Sequence, residues 1–151
     1  SVHFDYDNDG DQDIFVVNQK PVYDMTYRGG TIKSKLYRND NNNNLNWLKV
    51  KLNGKNSTTR GLGSRVKIFL KDNFQMVREV DGGSSHASQN TSIVHFGLGE
   101  NKTIDSISIT WPGGKTQSLV DIAANQLVEV DELEEINYSI WDRFLKYFNI
   151  G

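Results

Sequence analysis

No cysteine occurs in the chain, which excludes a disulfide framework and any thiolate metal site. The compartment stays open on that ground, because a chain can be exported without a disulfide. No run of about 18 apolar residues is present either, so no membrane insertion is expected. The first residues are strongly acidic and do not form an intact signal peptide. Charge of one sign is scarce: 17 Lys and Arg face 19 Asp and Glu, for a net −2. That balance leaves no broad basic surface, and nucleic acid is not an expected partner. With 36% hydrophobic and 24% charged residues, the chain belongs with folded rather than disordered sequences. Its 151 residues suit one domain with a real core and are few for two.

What is present is unevenly placed. Asp5, Asp7, Asp9, Asp11 and Asp13 all fall within the first 13 residues, and the remainder is close to neutral. Such a cluster needs counter-charge, since like charges this close repel one another unless neutralised. The run Asp5-Tyr6-Asp7-Asn8-Asp9-Gly10-Asp11-Gln12-Asp13 alternates carboxylates, then offers a glycine, then a further carboxylate. Calcium is a hard cation that takes six to eight oxygens at roughly 2.3 to 2.6 Å, and a tight loop with acidic side chains at its first, third, fifth and ninth places can wrap one ion. Asp5, Asp7, Asp9 and Asp13 would supply carboxylates and Asp11 its backbone carbonyl, with Gly10 at the sharp turn. Magnesium suits the loop less well, because it keeps its waters and takes fewer protein oxygens. The loop is not an EF-hand: its twelfth place is Val16 rather than a bidentate Glu, and it leads into the β-branched run Ile14 to Val17 rather than into a helix.

Periodicity predicts an all-β fold, an antiparallel sandwich or barrel-like domain. After the loop and its strand come residues 19–34, a connection long enough to be functional or mobile. Leu36-Tyr37 reads as a brief strand, and the polar stretch Asn39 to Asn44 as a boundary. From Trp47 the alternation is regular, with Leu48, Val50 and Leu52 predicted in the core and Trp47, Lys49 and Lys51 in water. Further short strands are predicted at Val66 to Leu70, Met76 to Val80, Ile93 to Phe96, Ile104 to Trp111, Thr116 to Val120 and Leu127 to Val130. At the end, Ser139 can cap an amphipathic helix carrying Ile140, Trp141, Phe144, Leu145 and Phe148 on one stripe. The organisation expected is a calcium-loop unit over 1–40, a β domain over 46–132 and a helix over 137–150. Because the metal-type loop begins so near Ser1, the chain also reads as the C-terminal piece of a longer protein.

The loop followed by Ile14-Phe15-Val16 resembles the calcium-binding repeat of the FG-GAP/VCBS class, of which one copy is present. A single blade of that kind cannot close by itself. From Asn46 to about Glu132 the chain is similar to the ASPIC/UnbV domain, which commonly follows such repeats. The matching pieces are Asn46-Trp47-Leu48, Asn56 to Val66 with its Gly61-Leu62-Gly63 turn, Gln75 to Glu79, the Gly82-Gly83 turn with Ser88-Gln89, His95 to Gly99, and Trp111-Pro112-Gly113-Gly114. Where the pattern leads one to expect an aromatic after the glycine turn, this chain has Ser85-His86. The resemblance implies an extracellular, calcium-associated module for recognition or adhesion, with calcium structural and no enzymatic activity carried over.

Contact with an extracellular protein or glycan is expected to fall on Tyr23, Tyr27 and Arg28 of the long connection, on Arg60 and on His86. The rival reading is an enzyme or accessory domain acting on polysaccharide or in a biosynthetic pathway, which needs His86, Arg60 and Glu79 in one pocket. His95 lies in an apolar strand and reads as a core or sheet-face histidine, nine residues from His86 and without zinc spacing. Neither glycine pair, Gly61/Gly63 or Gly97/Gly99, opens a helix after a strand, so neither is a nucleotide motif. Sequons at Asn56, Asn90, Asn101 and Asn137 are frequent in a chain this rich in asparagine and carry little information.

Overall fold

The computed structural model describes residues 1–18, 33–40, 45–83 and 88–133. The long connection with Tyr23, Tyr27 and Arg28, the segment with His86 and residues 137–150, where a helix is expected, all lie outside the described residues. Among the described residues the fold is all-β, as the alternation predicts, with no closed barrel and a single 3-10 turn at Lys71–Asn73. No helix among them is long and apolar enough to cross a membrane.

Among the described residues ten strands form three sheets. β1 (Val2–Phe4), β2 (Asp13–Val16) and β3 (Lys35–Tyr37) make a small antiparallel sheet in that order. β4 (Asn46–Asn53) is the centre of a second, with β7 (Val94–Gly99) antiparallel on one side and β10 (Gln126–Asp131) parallel on the other. β6 (Gln75–Glu79), β5 (Arg65–Phe69), β8 (Thr103–Thr110) and β9 (Thr116–Ala123) form the third, antiparallel throughout. Every strand predicted from alternation is present; β1 is the addition, too short at 3 residues to show a period.

The second and third sheets pack as a sandwich. Leu48, Val50 and Leu52 of β4 and Phe96 of β7 meet Val66 and Ile68 of β5 and Ile104, Ile107 and Ile109 of β8 in one buried cluster. Each such aliphatic side chain contributes about 1.5–3 kcal/mol when fully buried, which makes this sandwich the main source of stability. The parallel pairing of β10 on β4 brings the end of the domain back beside its beginning, where Glu132 closes the ring. Its Oε2 accepts the backbone N–H groups of Lys55, Asn56 and Ser57 and the Ser57 hydroxyl, at 2.8–2.9 Å. Burial alone would push this carboxyl up; the converging donors outweigh that and hold it below the usual carboxylate range.

One expectation is corrected. The polar face of β4 is not all in water, for Lys49 is only 8% exposed. The small β1–β3 sheet and its loop cover this face, and the reason is electrostatic, as the site shows.

Candidate metal centre

The aspartate loop joins β1 to β2, so the pairing of those strands brings its ends together: Phe4 lies opposite Asp13. Asp13 is 1% exposed and accepts two backbone N–H groups, Tyr6 on Oδ2 at 2.6 Å and Asn39 on Oδ1 at 2.8 Å. It therefore ties the loop to itself and to the segment after β3. Asp5 Oδ2 accepts the Gly10 N–H at 3.0 Å, and Asp9 Oδ1 accepts the Asp11 N–H at 3.0 Å. Gly10 sits at φ +99°, a conformation that L side chains rarely adopt.

The fold draws together three of the five aspartates. One carboxylate oxygen from each of Asp5, Asp7 and Asp13 lies within 4.8 Å of the others. Two oxygens on one calcium ion can be no farther apart than about twice the bond length, roughly 4.6–5.2 Å, so this spacing suits a shared ion. Asp9 is not one of this group; its carboxylate instead caps the turn. Asp5 is buried, with 4% side-chain exposure, and its Oδ1 has no hydrogen-bond partner. A buried carboxylate oxygen without a partner is costly unless a cation or donor meets it. Asp7 is partly exposed and lies 3.7 Å from Arg38, whose guanidinium also holds Asp40 at 2.6 Å.

The loop is seated on the sandwich by three side chains from the outer face of β4 and β7. Lys49, with 10% side-chain exposure, makes an ion pair with Asp5 Oδ2. Its register partner His95 hydrogen-bonds through Nε2 to the Gly10 carbonyl at 2.7 Å, which makes Nε2 the protonated nitrogen of the neutral ring. Burial lowers the His95 pKa; the Gly10 carbonyl and Asp5 act upward, Lys49 and Arg78 downward. Trp47 stacks on His95 with ring centroids 6.5 Å apart and an interplanar angle of 17°. The Trp47 indole also fills the space beside Gly10, so that a Cβ there would fall 1.9 Å from its Nε1. With Arg38 shared between Asp7 and Asp40, three carboxylates less the Lys49 ammonium leave a net −2, a charge that one divalent ion would balance. The donors are all oxygens, the set a hard cation prefers.

Of the expected ligand-contact residues, Arg60 lines a cavity of about 780 Å³ between the β1–β3 sheet and the face of β4 and β7. Glu79 lines a different and smaller one and pairs with Arg65 at 3.5 Å. The two cavities adjoin, sharing His3 and His95 among their walls, and His86 lies outside the described residues. Trp47, Lys49 and His95 were not expected at this site; the signal that could have found Lys49 is the demand of the acidic loop for a cation.

Residues 54–137, more than half of the chain, match the family model described as ASPIC and UnbV. The chain is 26% identical over 129 residues to cartilage acidic protein 1 of Homo sapiens, covering 85% of this chain and 18% of that protein. Against cartilage acidic protein 1 of Xenopus tropicalis it is 31% identical over 70 residues, covering 45% of this chain and 11% of the relative. The Mus musculus protein of the same name gives 31% over 70 residues with the same coverage. The chain thus corresponds to less than a fifth of these relatives.

Proposed function

The chain belongs to the ASPIC and UnbV family, and we propose that it is an extracellular recognition or adhesion module in which the aspartate loop holds a structural calcium ion. The single observation that carries the reading is the convergence of carboxylate oxygens from Asp5, Asp7 and Asp13, with Asp5 also holding a buried oxygen that has no partner. Asp5, Asp7 and Asp13 hold the ion, and the loop sequence around it is of the FG-GAP/VCBS kind. The ion supplies positive charge that lets the carboxylates stay close while the loop presses on Trp47, Lys49 and His95. Its role is rigidity: it fixes the small sheet to the sandwich and so shapes the surface between them. Similarity to proteins named for cartilage supports an extracellular setting, where calcium sites with dissociation constants of about 10⁻⁴–10⁻³ M are filled.

Calorimetric titration with calcium, alongside thermal melting with and without chelator, tests this. A saturable site and a melting point raised by calcium are expected, with both lost in Asp7→Ala. Asp7 is the variant of choice because its side chain is 29% exposed and its removal costs the fold little by itself. No binding and no shift in the parent chain refutes the calcium reading.

A further inference from the structure

We infer that the cavity between the small sheet and the sandwich binds an acidic saccharide, with Arg60 receiving the sugar carboxylate. The inference deepens the recognition reading above, on which its choice of ligand class rests.

At about 780 Å³ the cavity is within the range of small-ligand sites, roughly 300–1,000 Å³. One wall is the small sheet and the other is the β4 and β7 face with the loops that carry Arg60 and Gln89 to Ser92, and the two are already tied together. His3 N–H donates to Asn90 Oδ1 at 3.1 Å, His95 reaches the Gly10 carbonyl, and Lys49 holds Asp5. The cavity is therefore preformed, and a ligand need not order its walls.

The lining selects the chemistry. Gln12, Gln89, Thr91 and Ser92 offer amide and hydroxyl groups, while Val2 and Leu127 give apolar surface. Neutral hydrogen-bonding groups beside apolar patches match a sugar, whose hydroxyls and C–H faces alternate in the same way. Three charged side chains line the space. Asp5 and Lys49 cancel each other, and Arg60 makes no ion pair or hydrogen bond among the described residues. Among the described lining residues the one charged side chain without a partner is thus a cation, and it is a planar fork that matches a carboxylate in bidentate fashion. A single cation suits a single carboxylate, whereas phosphate sites gather several cations or a row of backbone N–H groups.

The experiment uses the full chain in millimolar calcium, titrated calorimetrically with tetragalacturonate and, in parallel, with neutral maltotetraose; the heat of each saccharide into calcium buffer is subtracted. Tetragalacturonate is expected to bind, maltotetraose at least about ten-fold more weakly, and Arg60→Gln to reduce the acidic ligand's affinity at least about ten-fold. Arg60 is exposed, so the variant should melt with the parent. The ¹H–¹⁵N signal of the Trp47 indole, on the cavity wall, should move with the acidic ligand. Equal binding of the two saccharides, undiminished binding to Arg60→Gln, or no binding to the parent would each overturn the inference. The two readings fail separately. Calcium binding without saccharide binding removes this inference alone, and saccharide binding without calcium binding removes the structural-calcium reading alone.

Discussion

Lys49→Met should destabilise the protein far more without calcium than with it. Methionine keeps the unbranched stem beside Trp47, so the change removes charge with little change of volume. Without calcium it leaves Asp5 as a buried carboxylate, 4% exposed, that has lost its counter-ion. Breaking one side of a buried pair costs about 3–5 kcal/mol. The ammonium also lies 4.9 Å from the Trp47 ring centroid, and loss of that contact adds about 0.5–1 kcal/mol in either condition. At about 2–4 °C per kcal/mol for a chain of this size, Tm should fall by roughly 7–24 °C in chelator. In saturating calcium the ion meets the Asp5 charge, so less than half of that fall should remain. The increment due to calcium follows RT ln(1 + [L]/Kd), and it should grow because Lys49 no longer competes for Asp5. Thermal melts of parent and variant at matched calcium concentrations decide it. An equal fall in chelator and in calcium, or weaker calcium binding in Lys49→Met by calorimetry, would refute the argument that Lys49 and the ion share Asp5.

Gly10→Ala should cost at least about 2 kcal/mol in denaturant melts, because φ +99° is strained for alanine and its Cβ would fall within the Trp47 ring. A stability unchanged by this substitution would mean that the loop is not packed on Trp47. His95 contributes to stability above the unfolded histidine pKa of about 6.5. Its folded pKa is lowered, so below 6.5 the unfolded chain takes up the proton first and stability falls as pH drops through the folded value. That pH dependence should be absent from His95→Phe, which keeps a ring against Trp47 but also loses about 0.5–1.5 kcal/mol with the bond to Gly10. Glu132→Ala should strand the backbone donors of Lys55, Asn56 and Ser57 and cost about 2–4 kcal/mol in a denaturant melt. Its folded pKa is also lowered, so its contribution is complete above about 4.5 and is lost as pH falls through the folded value; Glu132→Ala should flatten the acid limb of stability.

Much of this molecule follows from short-range rules. The alternation from Trp47 to Leu52 and the aliphatic runs around Val66, Ile107 and Val128 specify strands because a pleated backbone sends successive side chains to opposite faces. The spacing of Asp5 to Asp13 marks a loop dense in carboxylate oxygens, which repel one another unless neutralised. Alternation misleads at Lys49. A period of two says that the residue leaves the core side, and it cannot say whether water or another sheet waits on the other side. Inside the loop, spacing alone does not tell that Asp9 accepts the Asp11 N–H while oxygens of Asp5, Asp7 and Asp13 draw together.

By itself, then, the sequence determined the all-β class, the strand positions and the acidic loop, because each depends on neighbours within a few residues. Tertiary structure alone decided which aspartates converge, that Lys49 and His95 lie side by side beneath Gly10, and that Arg60 opens onto a cavity between the small sheet and the sandwich. Lys49 and Asp5 are distant in the chain, as are His95 and Gly10, and they meet only through strand register and the stacking of one sheet on another. Charge attraction and close packing act through space, and the chain brings those partners together only when it folds.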